Sequence, residues 1–213
     1  MSPSSTRTDH PVHAFLYDPM MGLVDRAGMA DRRRRLVAEA RGEVVEVGGG
    51  TGRNLPYYRS PDVSRVVVLE PDGAMRARLL DRVDGAAVPI EVHETGIEDS
   101  DLPDGFADSV IVCLVLCTVP SPAAALAEIK RLLKPEGRLL FLEHVGVPGL
   151  RGRLQSLATP VWSRSLGAGC HLDRPTLDSI RSAGFAITDC HRSGALVQGI
   201  AVQSARFAAE DVT

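Results

Sequence analysis

The chain has 213 residues, of which 44% are hydrophobic and 24% charged, and its formal net charge is −3. This composition is typical of a globular protein of one domain, and it excludes a disordered tail, a coiled coil and a collagen-like chain. A nucleic-acid-binding protein would carry a basic excess, and no apolar run approaches the roughly 20 residues of a membrane helix.

No secretory signal is expected at the N-terminus, because Met1–His10 is polar and lacks the apolar core of such a signal. We therefore expect a cytoplasmic protein with reduced cysteines, in which residues 1–12 are disordered. Residues 13–41 are predicted to form a helical cap, whose last helix begins at Asp31 and is stopped by Gly42. The run Arg32–Arg35 is interpreted as the solvated face of that helix, with contact to an anionic ligand as the alternative.

After residue 43 the sequence alternates between short apolar strands and helices. Strands are predicted over Val44–Val47, Arg65–Leu69, Ile90–His93, Ser109–Leu116, Leu139–Leu142, Ala186–Cys190 and Ile200–Ser204. Helices are predicted over Asp72–Val83, Ser121–Leu133 and Thr176–Ala183. Continuous Val, Ile and Leu runs are typical of parallel strands buried on both faces. The alternation predicts a single doubly wound α/β domain with a mostly parallel, seven-stranded, Rossmann-like sheet.

The most informative motif is the glycine-rich loop Gly48–Gly52, which directly follows the first strand. Glycines let a backbone turn sharply and approach a ligand closely. Glu70 ends the second strand, where a carboxylate can accept hydrogen bonds from both hydroxyls of a ribose. Pro56 leaves only a poor helix for a pyrophosphate after the loop, and Glu46 suits a cationic ligand better. The motif therefore predicts a nucleoside cofactor other than a dinucleotide.

At this loop the sequence resembles the class I S-adenosylmethionine-dependent methyltransferases, over roughly Leu36 to Phe207. The resemblance implies that Glu46–Gly52 holds the methionine end of S-adenosylmethionine, that Glu70 binds its ribose, and that Gly96–Glu98 lies against its adenine. Many members carry an aspartate where this chain has Gly96, so adenine contacts are expected to come mainly from the backbone. The cofactor-binding residues expected are Tyr17, Glu46, Gly48, Gly49, Gly50, Gly52, Asn54, Glu70, Pro71, Gly96, Ile97, Glu98, Cys113, Leu114 and Cys117.

Three further segments, Cys113–Val119, Phe141–Val145 and Gly169–Leu172, are similar to the methyltransferase-like 7 group. That group includes alkyl thiol methyltransferases, and related bacterial sequences are often labelled phospholipid or small-molecule methyltransferases. The resemblance implies a small-molecule acceptor, with a lipophilic thiol first and a small amine or phospholipid headgroup second. The animal members carry a membrane anchor, which this chain is expected to lack.

The candidate catalytic residues are His171, His144 and Glu143. Either histidine can serve as a base near neutral pH, and a structural role is the alternative for each. Glu143 is expected to orient a histidine or to hold a cationic substrate. The segment 146–169 interrupts the α/β alternation and is interpreted as a lid over the substrate, and Tyr17 is expected to close over the cofactor from the N-terminal side.

The walls of the acceptor pocket are expected from Leu114, Leu116, Val119 and Trp162. No metal site is expected, because the pairs Cys170–His171 and Cys190–His191 lack a tight Cys-x-x-Cys knuckle. Two other functions stay open at this stage: a nicotinamide-dependent oxidoreductase and a non-catalytic cofactor-binding protein.

Overall fold

Seven strands form one sheet in the order β3-β2-β1-β4-β5-β7-β6 in the computed structural model, which describes residues 11–59, 61–147, 149–164 and 169–204. The strands are β1 Gly42–Val47, β2 Val63–Leu69, β3 Ile90–His93, β4 Ala107–Cys113, β5 Leu133–His144, β6 Phe185–Ser193 and β7 Leu196–Gln203. Strands β1 to β5 pair in parallel, and β7 is antiparallel to both β5 and β6. The predicted seven-stranded, mostly parallel sheet is confirmed.

Six α-helices flank the sheet in the described ranges: α1 Pro11–Val24, α2 Ala30–Val37, α3 Gly73–Val83, α4 Pro122–Leu132, α5 Gly149–Arg164 and α6 Thr176–Ser182. A wider turn over Asp25–Met29 joins α1 to α2. The predicted N-terminal helical cap is therefore present, whereas most of the segment predicted to be disordered, residues 1–10, lies outside the described residues. No helix in the described ranges is long and apolar enough to span a membrane.

The continuous apolar runs of the strands supply two cores, one on each face of the sheet. Val45 and Phe141 point into the layer beneath α4 and α6, whereas Val44 and Leu140 point into the layer beneath α2 and α3. Because successive side chains of a strand alternate between faces, every position must be apolar when both faces are covered. This is the physical reason that the runs predicted a parallel sheet.

Two predicted boundaries move for local reasons. The last helix of the cap, α2, ends at Val37 rather than at Arg41, the residue before the predicted stop Gly42, and Gly42 opens β1 with φ 63°. β4 ends at Cys113 rather than Leu116, because Leu114 turns into the left-handed region at φ 62°. A non-glycine residue there is uncommon and is held by surrounding contacts, so the edge of the sheet beyond β4 is a candidate for function.

Candidate active site

The glycine loop turns away from β1 through backbone conformations that glycine tolerates. Gly48, Gly50 and Gly52 have φ of 65°, 57° and 79°, and a Cβ on Gly49 would lie 2.2 Å from Cγ1 of Val68. A Cβ on Gly50 would meet no atom within 4 Å, so open space lies beside this turn. The loop therefore packs tightly against β2 at Gly49 and is open to a ligand at Gly50.

Glu70 joins the carboxyl ends of β1 and β2. Its Oε2 accepts a hydrogen bond from the Gly50 N–H at 2.6 Å, and its Oε1 accepts one from the Asp72 N–H at 2.9 Å. The residue is only 6% exposed, and burial raises the pKa of its carboxyl group against the opposing effect of these two donors. The predicted loop and the predicted acid are therefore in direct contact, and Pro71 follows Glu70 at the same edge.

After the loop, the chain forms a short 3-10 turn, Leu55–Tyr57, rather than the long helix that a pyrophosphate site requires. The adenine-side segment follows β3, and its Ile97 side chain is buried in the core. The Glu98 residue is exposed, and the predicted contact of Gly96, Ile97 and Glu98 with the adenine stays a prediction.

Glu46 lies below the loop and is almost fully buried. Its carboxylate accepts hydrogen bonds from Asn54 Nδ2 at 2.9 Å and from the Tyr58 hydroxyl at 2.6 Å. Burial raises the pKa of Glu46, and these two donors oppose that effect. The side chains of Glu46 and Asn54 bind each other, and their predicted contact with the cofactor stays a prediction.

Arg33 completes this buried network and corrects the interpretation of the arginine run. It is 4% exposed, and its Nη1 donates to Asn54 Oδ1 at 3.0 Å and to Cys113 Sγ at 3.1 Å. Burial raises the pKa of the nearby Tyr17, and the charge of Arg33 opposes that effect. Arg33 precedes the buried Leu36 by one helical turn, and that spacing is the signal that could have placed it on the inner face.

A charged contact that sequence reasoning missed ties α1 to the glycine loop. Asp18 Oδ1 accepts from the Thr51 hydroxyl at 2.7 Å and from Arg53 at 3.0 Å. Its Oδ2 accepts from Arg82 at 2.7 Å and from Arg78 at 3.3 Å. Burial works to raise the pKa of Asp18, but the Thr51 hydrogen bond and the Arg82 charge outweigh it, so the pKa lies below its usual value. The N-terminal cap is thus fixed to the loop.

At the other half of the sheet edge, Glu143 shapes the backbone beyond β4. Its carboxylate accepts the N–H groups of Val115 at 2.8 Å, Leu116 at 2.9 Å and Cys117 at 3.2 Å. Burial raises the pKa of Glu143 to about 7, although these three donors oppose the shift. Glu143 is fully buried and therefore holds the backbone of this loop, and its predicted catalytic role stays a prediction.

The loop 114–119 is also held from its opposite side, by the segment that follows α5. The His171 N–H donates to the Cys117 carbonyl at 2.7 Å. Arg174 Nη1 donates to the carbonyls of Leu116 at 2.7 Å and Val119 at 2.8 Å. The His171 ring itself is exposed at this edge. The three segments that carried the narrower resemblance therefore meet in one place.

Two cysteines and a histidine meet between these segments. The Cys117 and Cys170 sulfurs are 3.3 Å apart, and His144 Nδ1 lies 3.8 Å and 3.5 Å from them. Sequence reasoning paired Cys170 with Cys190 instead, and Cys190 is exposed on β6. It missed the cluster because Cys117 and Cys170 are 53 residues apart.

The segment predicted to be a lid forms α5 beside this cluster. Gln155 donates to the carbonyls of Leu172 at 2.6 Å and Val145 at 3.3 Å, which fixes one side of the helix. Leu150, Leu154 and Leu157 are 73%, 59% and 75% exposed. The predicted wall residue Trp162 has a side chain outside the described part of the structure.

Comparison with known proteins agrees with this geometry. Residues 45–141 match the family described as "Methyltransferase domain". The human thiol S-methyltransferase TMT1B is 32% identical over 171 residues, which cover 74% of this chain and 69% of that protein. Its rat counterpart is 35% identical over 67% of this chain, and the chain spans only 59% of the rat protein's length.

A solved structure from Thermotoga maritima, described as an S-adenosylmethionine-dependent methyltransferase and possible histamine N-methyltransferase, shares the fold. It has a TM-score of 0.66 at 20% identity, covering 92% of this chain and 98% of the other.

Proposed function

We propose that the chain methylates the sulfur of a small lipophilic thiol. The chain belongs to the class I S-adenosylmethionine-dependent methyltransferases and, within them, to the thiol S-methyltransferase group. The observation that carries the proposal is the junction of two sites on one sheet edge. A glycine loop and Glu70 form one, and the apolar, sulfur-lined loop 114–119 forms the other. The first suits the methyl donor, and the second suits an apolar acceptor.

The residues of the first half fit S-adenosylmethionine, which supplies a methyl group on a positively charged sulfonium when it is bound. Open space beside Gly50 admits the ligand, and Glu70 is placed to accept hydrogen bonds from the ribose hydroxyls. Glu46 and Arg33 stabilise the loop from below, so its shape is fixed before binding. Such preorganisation lowers the entropy that the ligand must lose on binding.

The second half offers what a thiol acceptor requires. A free thiol has a pKa of about 8.5 and reacts as the thiolate, so the site needs apolar walls and a group that accepts one proton. The loop at Leu114–Val119 and the exposed leucines of α5 supply apolar surface. His171 is exposed at the same edge and is the proposed proton acceptor. The thiolate sulfur then forms a bond to the methyl carbon while the bond from that carbon to the sulfonium breaks.

A product survey tests this function. The purified chain, S-adenosylmethionine and a panel of small thiols, amines and phenols are incubated, and methylated products are identified by mass spectrometry. We expect thioethers, formed at a rate that rises with pH until the acceptor thiol is fully ionised. Glu70→Ala serves as the control that ties turnover to this site. Methylated amines or phenols without any thioether would show that the nucleophile is wrong.

A further inference from the structure

The cluster of Cys117, Cys170 and His144 is not explained by methyl-donor binding. The three side chains come from separate parts of the chain: the loop after β4, the segment after α5 and the end of β5. We propose that they bind one thiophilic divalent cation, Zn²⁺ in the first place, with its fourth coordination position left for the sulfur of the acceptor. Among the described residues, these three are the group of His, Cys, Asp and Glu side chains close enough to share an ion.

The separations agree with a tetrahedral site before any side chain moves. Zn–S bonds of about 2.3 Å and a Zn–N bond of about 2.0 Å place the ligand atoms ~3.8 Å (S to S) and ~3.6 Å (S to N) apart. The corresponding distances are 3.3 Å between the sulfurs, and 3.5 Å and 3.8 Å from sulfur to His144 Nδ1. Each therefore lies within about 0.5 Å of the required value.

Two of the three ligands, Cys117 and His144, are positioned by contacts that do not involve the ion. Cys117 is fixed through its backbone, because its N–H donates to Glu143 and its carbonyl accepts from the His171 N–H. The His144 carbonyl accepts from the Thr176 hydroxyl at 3.1 Å. Metal sites depend on such outer contacts to hold their ligands in place. A site assembled in this way loses little freedom when it binds an ion.

The chemistry and number of the ligands indicate which ion binds and whether the site is structural or open to a substrate. Two thiolates and an imidazole favour Zn²⁺ over the oxygen-seeking Mg²⁺ and Ca²⁺, and two thiolates balance its charge in a buried place. Structural zinc sites have four protein ligands, whereas sites with three keep one position for a water or a substrate. With three ligands among the described residues, the cluster belongs to the open kind.

The role of the ion rests on the proposed thiol methylation. A thiol that coordinates a zinc ion loses its proton, which passes to His171 or to water. The sulfur of the bound thiolate then forms the bond to the methyl carbon, while the bond between that carbon and the sulfonium breaks. The products are a thioether and S-adenosylhomocysteine, and no oxidant or reductant takes part. An acceptor thiol would then be ionised well below its own pKa.

Metal binding is tested first and without any substitution. Reduced wild-type protein is freed of metal with a chelator, dialysed against Zn²⁺ or Co²⁺, and measured by elemental analysis and absorption spectroscopy. We expect one equivalent of metal, and for Co²⁺ the intense thiolate-to-metal absorption of a tetrahedral site. Wild-type protein that retains less than about a tenth of an equivalent, or that forms a Cys117–Cys170 disulfide and binds no metal, would overturn the proposal.

Variants then assign the ligands. Cys117→Ser, Cys170→Ser and His144→Ala should each lower the Zn²⁺ affinity by at least about 100-fold, more than the loss of an outer contact. Cys190→Ser is the matched control, because this cysteine is exposed on β6, and it should bind metal as the wild type does. Thermal unfolding shows which variants are folded. An equal loss in Cys190→Ser would contradict the assignment.

A third measurement separates the role of the ion from the proposed function. A small lipophilic thiol added to the Co²⁺ protein should shift the absorption, whereas the amine of the same skeleton should not. Thioether formation without this shift would overturn the metal's role and leave thiol methylation standing. The shift without thioether formation would support the metal site and refute the proposed function.

Discussion

The two halves of the sheet's carboxyl edge are built in different ways. At β1 and β2 the contacts join residues close in the chain: Gly50 meets Glu70 across 20 positions, and Glu46 meets Asn54 across eight. At β4 and β5 they join distant segments, since Cys117 meets Cys170 across 53 positions and Arg174 meets Leu116 across 58. The β1–β2 half, called here the donor half, is thus built around short-range contacts, to which Asp18 of α1 adds a hydrogen bond with Thr51 across 33 positions. The β4–β5 half, called the acceptor half, is assembled by the tertiary fold.

The source of rigidity differs as well. Left-handed glycines and a tight packing contact at Gly49 shape the donor loop. The acceptor loop contains no glycine between residues 114 and 119, and its backbone is shaped by hydrogen bonds to the buried Glu143 and from the half-buried Arg174. Apart from Val115, which packs against Gly48, changes in the side chains of the acceptor half are therefore expected to alter substrate choice while the donor loop keeps its conformation. The comparison predicts that a substitution in one half lowers either turnover or cofactor affinity without lowering the other.

The largest separate effect is expected from His171. His171→Ala should lower kcat by about 100-fold or more, because the proposed proton acceptor is lost, and should leave the affinity for S-adenosylhomocysteine unchanged. The substitution keeps the N–H bond to Cys117, so the loop stays in place. Steady-state kinetics and calorimetry measure the two quantities, and His191→Ala on β6 is the control. Unchanged turnover would assign His171 to structure, and weakened cofactor binding would show that the halves are coupled.

Glu70 gives the converse effect. Glu70→Ala should weaken binding of S-adenosylhomocysteine about ten- to hundredfold, because charge-assisted hydrogen bonds contribute roughly 1.5–3 kcal/mol. Burial raises the pKa of Glu70 above its usual 4.5, so wild-type affinity should fall as the pH is lowered through that raised value. Calorimetry between pH 5 and 8 checks both statements, with the exposed Asp101→Ala as control. Tighter binding of a nicotinamide dinucleotide than of S-adenosylhomocysteine would contradict the cofactor assignment.

The contrast between the halves also explains what the sequence could predict. The sheet, the helix starts at Asp72 and Ser121, and the loop with its acid depend on local patterns, and the structure has all of them. The end of β4 does not, because the apolar run continues to Leu116 while the backbone turns at Leu114. After this turn, the N–H groups of residues 115–117 donate to the carboxylate of Glu143, which lies in another strand.

The missed residues fall into two classes. Arg33 was within reach of sequence reasoning, because its helical spacing from Leu36 indicates the inner face, although a run of four arginines usually indicates a solvated one. The cluster of Cys117, Cys170 and His144 could not be predicted, because no spacing rule relates Cys117 to a cysteine in the segment after α5. Its members are brought together by strand order, which is a property of the whole fold.

The smallest expected effect concerns the attachment of the N-terminal cap, which the comparison places on the donor side. Asp18→Asn keeps the shape of the side chain and removes the charge that Thr51, Arg53 and Arg82 contact. We expect a loss of about 1 kcal/mol in the free energy of unfolding, since solvent screens these partly exposed pairs. The pKa of Asp18 is lowered in the folded chain, so this stabilisation is present above the unfolded value near 3.8 and is lost as the pH falls through the lower folded value.

Thermal unfolding of wild type and Asp18→Asn should therefore differ at pH 7 and converge well below pH 3.8, because protonated Asp18 resembles asparagine in charge. The difference should also shrink in high salt, where exposed charges are screened. Asp31→Asn is the matched control, since Asp31 makes one exposed ion pair with Arg34 on the outer face of α2. If Asp18→Asn lowers methyl-donor affinity but leaves turnover at saturating donor intact, the cap acts through the glycine loop alone. An equal loss of turnover at saturating donor would show that α1 acts on both halves, and it would contradict the prediction that the two halves can be altered separately.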